Sequence, residues 1–263
     1  MSLKTISVVS IFIYFIIIQP YCVAQIRWPK SSENLKVLPE NIKIEQLRMI
    51  MGSFSEALGV RCSNCHYMAD PKDVSTFDFA SDKVPAKNIA RQMIKMMNNI
   101  NEGTITEIVK MSKEKNSNKV TCYTCHRGYE KPALLEDVLY TTVKDSGVES
   151  GLNQYKILRT RFYGKGTFDF SEESLINLGN KLEQDKKPKD ALAFLKVNSE
   201  LNSESPLAFE GLSEGYVNAE DYSNAVTTAE KVISILDKTG RENDRGNNRL
   251  KKQAQDIIDK YKK

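Results

Sequence analysis

The chain has 263 residues, about 40% of them apolar, and a formal net charge of +4. That apolar share supplies one large or two modest cores. So mild a charge excludes a nucleic-acid partner, which would ask for a strongly basic face.

Residues 1–24 read as a secretory signal peptide. Lys4 supplies the positive start, Thr5 to Ile18 run without a charge, and Cys22-Val23-Ala24 resembles a small-residue cleavage site. A mature chain would begin at Gln25 and be exported to the periplasm. An uncleaved membrane anchor is the alternative, because the apolar stretch approaches a spanning length.

From Ile44 to Leu58 the apolar residues Ile44, Leu47, Met51, Phe54 and Leu58 step by three and four, as on one face of a helix that Gly59 would end. A second helix is predicted from Pro85 to Ile100, with Ile89, Met93, Met96, Met97 and Ile100 on its apolar side, and a third from Thr104 to Lys113. Residues 136–148, with Gly147 near the end and Pro132 just before, read as a linker between a domain at 25–135 and an Ala/Leu-rich helical domain at 149–263. In that second domain Leu175 pairs with Phe209, Leu178 with Leu212, Gly179 with Ser213, Leu182 with Tyr216 and Ala191 with Ala225, each 34 residues apart. That is the tetratricopeptide period. It predicts helices at about 172–184 and 188–200, a second repeat over about 206–237 and a capping helix at 244–262; a generic helical bundle is the alternative. The fold class expected throughout is all-α.

Two motifs carry chemistry: Cys62-Ser63-Asn64-Cys65-His66 and Cys122-Tyr123-Thr124-Cys125-His126. Together they use four of the five cysteines and both histidines. C-x-x-C-H is the attachment signature of c-type haem: the thiols add across the vinyl groups, and the adjacent imidazole is placed to ligate the iron. A Cys₄ zinc site is a poor alternative. Zinc modules separate their paired cysteines by a short stretch, whereas Cys65 and Cys122 are 57 positions apart, and zinc gives no reason for a histidine after each pair. Two covalently bound haems are therefore expected.

With no third histidine, neither iron can be bis-histidine within this chain, and methionine is the usual alternative. Met49, Met51, Met68, Met93, Met96, Met97 and Met111 are candidates, each with core filling as the bland alternative. Met51 lies on the apolar stripe of its helix, with Met49 about 200° away. Gly52, Ser53 and Ser55 beside Met51 are small, so a porphyrin edge could lie close. On the second helix, periodicity does not choose among Met93, Met96 and Met97.

Residues 33–39 and the run from Met51 to His66 resemble the cytochrome subunit of photosynthetic reaction centres. So do Ile89 to Asn101, including Ala90-Arg91-Gln92-Met93, and Val120 to Gly128. The resemblance spans about 33–133. It implies a helix with the sixth ligand, a turn, and a helix with C-x-x-C-H for each haem, and it implies Met51 and Met93 as the axial methionines. The reaction-centre subunit carries four haems and no helical-repeat tail, so fold and ligation are carried over here and photosynthesis is not.

The expected function is a periplasmic dihaem c-type cytochrome that relays single electrons between redox protein donors and acceptors, probing no substrate as an enzyme would. One alternative is a peroxidase-like enzyme with one open haem and Glu102 or Glu107 as its acid–base group. Another makes the tail an interaction module that docks the haems on a membrane-bound electron-transfer complex; on that reading a cut after Tyr140 would spare haem binding.

Overall fold

In the computed structural model of the protein, residues 26, 28–112, 118–239 and 244–262 are described. Residues 1–24, read from the sequence as a signal peptide, lie outside them. The fold is all-α apart from one two-residue antiparallel pair, β1 (Tyr67–Met68) with β2 (Phe77–Asp78), in which Tyr67 faces Asp78 and Met68 faces Phe77. The chain divides into two compact units, one within Met1–Arg48 and Arg61–Lys95, the other within Met49–Val60 and Met96–Lys263. This division does not fall at residue 135, where the sequence suggested a boundary.

Helix α1 (Ile44–Leu58) forms where the stripe predicts it. Leu47 and Ala57 are buried, Met51 is half-buried and Met49 is exposed. Gly59, at φ +66°, ends the helix, and the Val60 N–H reaches back to the Ser55 carbonyl (3.1 Å). Helix α2 (Pro85–Asn99) runs without a break into a π-helical turn at Ile100–Ile105 and then α3 (Thr106–Ser112). A short helix, α4 (Cys122–His126), holds the second motif.

In the first unit, β1 and β2 form a small hairpin braced by the α2 side chains Lys87 and Arg91. Lys87 Nζ donates to the carbonyls of Phe79 (2.9 Å), Ala80 (2.9 Å) and Ser81 (2.8 Å). Arg91 donates to Asn88 Oδ1 (2.6 Å) and to the Asn34 carbonyl (3.2 Å), and pairs with Asp82 (2.8 Å). Asp82 also takes Lys36 at 2.7 Å and the Asn34 amide at 3.0 Å. These partners, Lys36 foremost, hold the Asp82 carboxyl well below the usual carboxylate range.

The stretch 136–148 is not a linker. It contains α5 (Leu135–Ser146), whose Leu135, Leu139 and Val143 are fully buried, and Gly147, at φ +84°, turns the chain directly into α6 (Val148–Phe162). Burying each of those three side chains is worth about 1.5–3 kcal/mol, too much for a solvated connector. They join Tyr155, Leu158, Phe162 and Phe168 in one core with Leu175, Leu178 and Leu182 of α7 (Glu172–Gln184) and Ala191 and Phe194 of α8 (Pro188–Leu201).

Helices α9 (Pro206–Asn218), α10 (Tyr222–Thr239) and α11 (Arg245–Tyr261) complete the second unit. Ala229, Val232 and Leu236 of α10 pack with Leu250 and Ala254 of α11. First residues Glu172 and Pro206 lie 34 positions apart, as do Pro188 and Tyr222. The small residues of the period sit at close approaches: a Cβ on Gly179 would stand 3.1 Å from Leu195, and the buried Ser213 hydroxyl donates to the Ala225 carbonyl (2.8 Å).

Candidate functional site

Each C-x-x-C-H motif is wound into one tight turn, so its two thiols and its imidazole share a single short element. Cys62–Asn64 is a 3₁₀ turn, with the Cys65 and His66 N–H groups both donating to the Cys62 carbonyl (3.2 and 2.9 Å). Cys122–His126 is α4, entered from an extended Thr121 whose N–H donates to the Thr124 hydroxyl (3.0 Å). None of these four cysteines is in a disulfide. Burial pushes the Cys122 thiol up, away from thiolate character.

The second motif is tied down from both sides. Before it, Asn101 in the π-helical turn pairs with Val120 as a strand residue would: its amide donates to the Val120 carbonyl (2.8 Å), and its Oδ1 accepts the Val120 N–H (2.8 Å). A π turn widens the helix by one residue per turn, and such turns gather at functional sites. Nothing in the apolar periodicity marks Asn101. After the motif, Arg127 at φ +47° and Gly128 reverse the chain, and the Gly128 N–H donates to the Ala57 carbonyl at the end of α1 (2.8 Å). Tyr129 then packs on Phe168 (4.9 Å between ring centres) and Phe162 (5.8 Å). The Arg127 guanidinium and carbonyl are also held, by the Gly166 carbonyl (3.0 Å) and the Thr167 hydroxyl (2.6 Å).

His126 is oriented by its own turn. Its Nδ1 lies 3.1 Å from the Tyr129 carbonyl. A carbonyl can only accept, so this contact places the proton on Nδ1 and leaves Nε2 with a bare lone pair. That is the second-shell arrangement of a metal-ligating histidine. An open cleft of ≈ 420 Å³ beside it is lined by Cys125, His126, Tyr129, Leu134, Asp137 and Phe168, among others.

His66 stands differently. Its ring meets Phe79 edge-on at 5.1 Å, and its Nδ1 is buried with no hydrogen-bond partner among the described residues. Burial first, and then the charge of Lys87, push its pKa down, while the neighbouring Phe79 carbonyl acts the other way. Burial and the Lys87 charge both push toward the neutral imidazole, the form that binds metal. Phe79 also stacks on Trp28 (5.5 Å, 4° between planes).

Among the methionines, Met93 is 45% exposed and shares a stripe with Ile89 (59%) and Met96 (50%), while Lys87, Arg91 and Ile94 occupy the opposite, packed face of α2. The helix thus turns its apolar side outward, the reverse of an ordinary surface helix. Gly52 is open: a Cβ there would meet nothing within 4 Å. Met68 is committed to the β1–β2 pair, and Met49 and Met111 are largely exposed. Glu102 and Glu107 are exposed too. The donor set suits covalently attached haem, with two thiols and one neutral or oriented imidazole in each turn and outward apolar side chains. Among the described residues, no three His, Cys, Asp or Glu side chains stand together as a cation site.

Residues 67–157 match the family model described as photosynthetic reaction centre cytochrome C subunit. The match begins just past His66, takes in the second motif and ends inside α6, whereas the resemblance read from the sequence ran from 33 to 133. The match takes in α5, whose Asp137 lines the cleft beside His126, and Phe162 of α6, just past its end, packs under Tyr129; these helices form the floor of the second motif. The family is one of electron-transfer cytochromes rather than enzymes, with covalently bound c-type haem and a redox partner in a membrane electron-transfer complex. Among curated proteins, none matches the chain. Among the described residues, no helix is long and apolar enough to cross a membrane.

Proposed function

We propose that the protein is an exported dihaem c-type cytochrome that relays single electrons. Cys62 and Cys65 would hold one haem, with His66 and Met51 as its iron ligands, and Cys122 and Cys125 would hold the other, with His126 and Met93. When bound, haem supplies one-electron iron chemistry; the chain supplies attachment, ligation and burial.

The observation that carries this reading is the His126 contact with the Tyr129 carbonyl, which frees Nε2 for iron inside a C-x-x-C-H turn. The lowered pKa of His66 supports the same role at the first motif. Met51 is supported by its place on the α1 stripe beside the open Gly52, and Met93 by the outward apolar face of α2. The helices α7 to α10, with their 34-residue offset, are proposed as a tetratricopeptide-like module that docks the cytochrome on its membrane-bound partner.

A pyridine haemochrome count on the exported protein, with low-temperature ferric spectra of Met51→Ala and Met93→Ala, tests the proposal. Two haems per chain are expected, and each substitution should remove one methionine-to-iron charge-transfer band. One haem per chain, or bands that survive both substitutions, would overturn it.

A further inference from the structure

The two histidines differ in their immediate surroundings, and that difference has a direction. At His126, Nδ1–H is donated to a backbone carbonyl at 3.1 Å. Such a bond makes the imidazole a stronger electron donor and so favours the ferric state of an iron bound through Nε2. The charged side chains lining the cleft beside it, Arg127 and Asp137, balance. Arg127 is itself turned to the Gly166 carbonyl, and Asp137 is ion-paired with Lys181.

At His66 no group among the described residues stands in hydrogen-bond geometry to Nδ1, although the Phe79 carbonyl lies near enough to favour the ring's proton. The neighbouring carbonyl, that of Phe79, is bound by the Lys87 ammonium at 2.9 Å, and the Phe79 ring lies against the imidazole at 5.1 Å. Nδ1 itself has no hydrogen-bond partner among the described residues. Lys87 is fixed there by three carbonyls, and Arg91 is buried beside Asp82. Lys36, Lys87 and Arg91 face Asp82 and the neighbouring Asp78, which leaves an excess of positive charge. Lys87 and Arg91 are its buried members, so their charge is the least screened.

Building on the dihaem reading above, we infer that Lys87, supported by Arg91, makes the His66 site the higher-potential of the two. Fixed positive charge favours the ferrous state, and an imidazole whose neighbouring carbonyl is already polarised by Lys87 donates less to the ferric state. Both effects raise the potential at His66, and the Tyr129 contact lowers it at His126. Lys87 is thus a tuning residue that acts through His66 and not a ligand.

The test is a potentiometric titration of the full-length holoprotein followed by optical and EPR spectra. Two midpoints are expected. Lys87→Gln should lower the upper one by about tenfold in the equilibrium constant, which is about 59 mV for a one-electron couple, and leave the lower one in place. Lys87→Arg, which keeps the charge, should restore it. Independently of Lys87, the double substitution Cys62→Ser with Cys65→Ser should leave only the lower wave. Survival of the upper wave in that variant overturns the inference, as does Lys87→Gln moving neither wave or both equally. Two haems with equal or reversed potentials defeat this inference alone, whereas fewer than two haems in the unsubstituted protein defeats the dihaem reading beneath it.

Discussion

Replacing Gly59 by alanine should destabilise the protein, and the size of the effect follows from two contacts. Gly59 sits at φ +66°, where a side chain costs about 1–2 kcal/mol. Its added Cβ would also stand 2.1 Å from the Gly128 carbonyl oxygen, where ordinary contact begins at 3.4 Å. The obstacle is backbone, so no rotamer change relieves it. Moving Gly128 away breaks its N–H bond to the carbonyl of the buried Ala57 (2.8 Å), a further cost of about 1–3 kcal/mol. The sum is about 2–5 kcal/mol, a large share of the total stability of a domain. For a chain of this size it should lower Tm by about 5–15 °C. Gly52→Ala is the control, because a Cβ there meets nothing within 4 Å and a helical Gly→Ala change gains about 0.5–1 kcal/mol. Thermal unfolding followed by circular dichroism reads both. If Gly59→Ala melts within 2 °C of the unsubstituted protein, the argument from the Gly59–Gly128 contact is wrong.

Asn101→Ala removes both hydrogen bonds to Val120, so it should destabilise by about 1–3 kcal/mol and cut haem incorporation at Cys122 and Cys125 more than at Cys62 and Cys65; haem-peptide mass spectrometry reads the difference. Glu210 is buried on α9 beside Glu214, and burial pushes its pKa up to about 7 against an ordinary 4.5. A raised carboxyl pKa contributes stability below the unfolded value that is lost as pH climbs through the folded value. Resistance to urea should therefore fall between about pH 4.5 and 7, and Glu210→Gln should flatten that slope and stabilise the protein at pH 7. Truncation after Tyr140 cuts α5 in half and removes Phe162 and Phe168, so it should abolish haem uptake at the second motif, whereas truncation after Glu204 keeps the core of α5 to α8 and should preserve it. Retained haem at Cys122 and Cys125 after the shorter cut would show that α5 and α6 are not the floor of that site.

The helices of the C-terminal part were legible because their signals are local: Pro188 and Pro206 at first positions, Leu175, Leu178 and Leu182 at helical spacing, and a 34-residue offset. Helix α1 was legible to the residue for the same reason. The reading failed at 136–148, although Leu135, Leu139 and Val143 carry a helical step of four. Pro132 and Gly147 were taken as marks of a linker, but in the fold the proline precedes the helix and the glycine is the corner between α5 and α6. Punctuation residues flank packed helices as readily as they mark linkers, and only a partner surface distinguishes the two. On α2 the apolar stripe was found correctly, but its outward direction was not, because periodicity says which residues share a face and not what covers it.

The sequence by itself determined which groups stand together in each motif. C-x-x-C-H places two thiols and an imidazole within five covalently linked residues, so no tertiary contact is needed to bring them together. It also left no third histidine in this chain, a count that does not depend on the fold. What only the tertiary structure decided is how the two motifs differ. The Tyr129 carbonyl on His126 is three residues away, yet whether the turn closes on it depends on Phe162 and Phe168 beneath. Asn101 reaches Val120 across 19 residues, and Asn34 meets Arg91 across 57. Those contacts join groups far apart in the chain, where a motif leaves no trace, and they turn two five-residue signatures of one pattern into two unlike electrostatic sites.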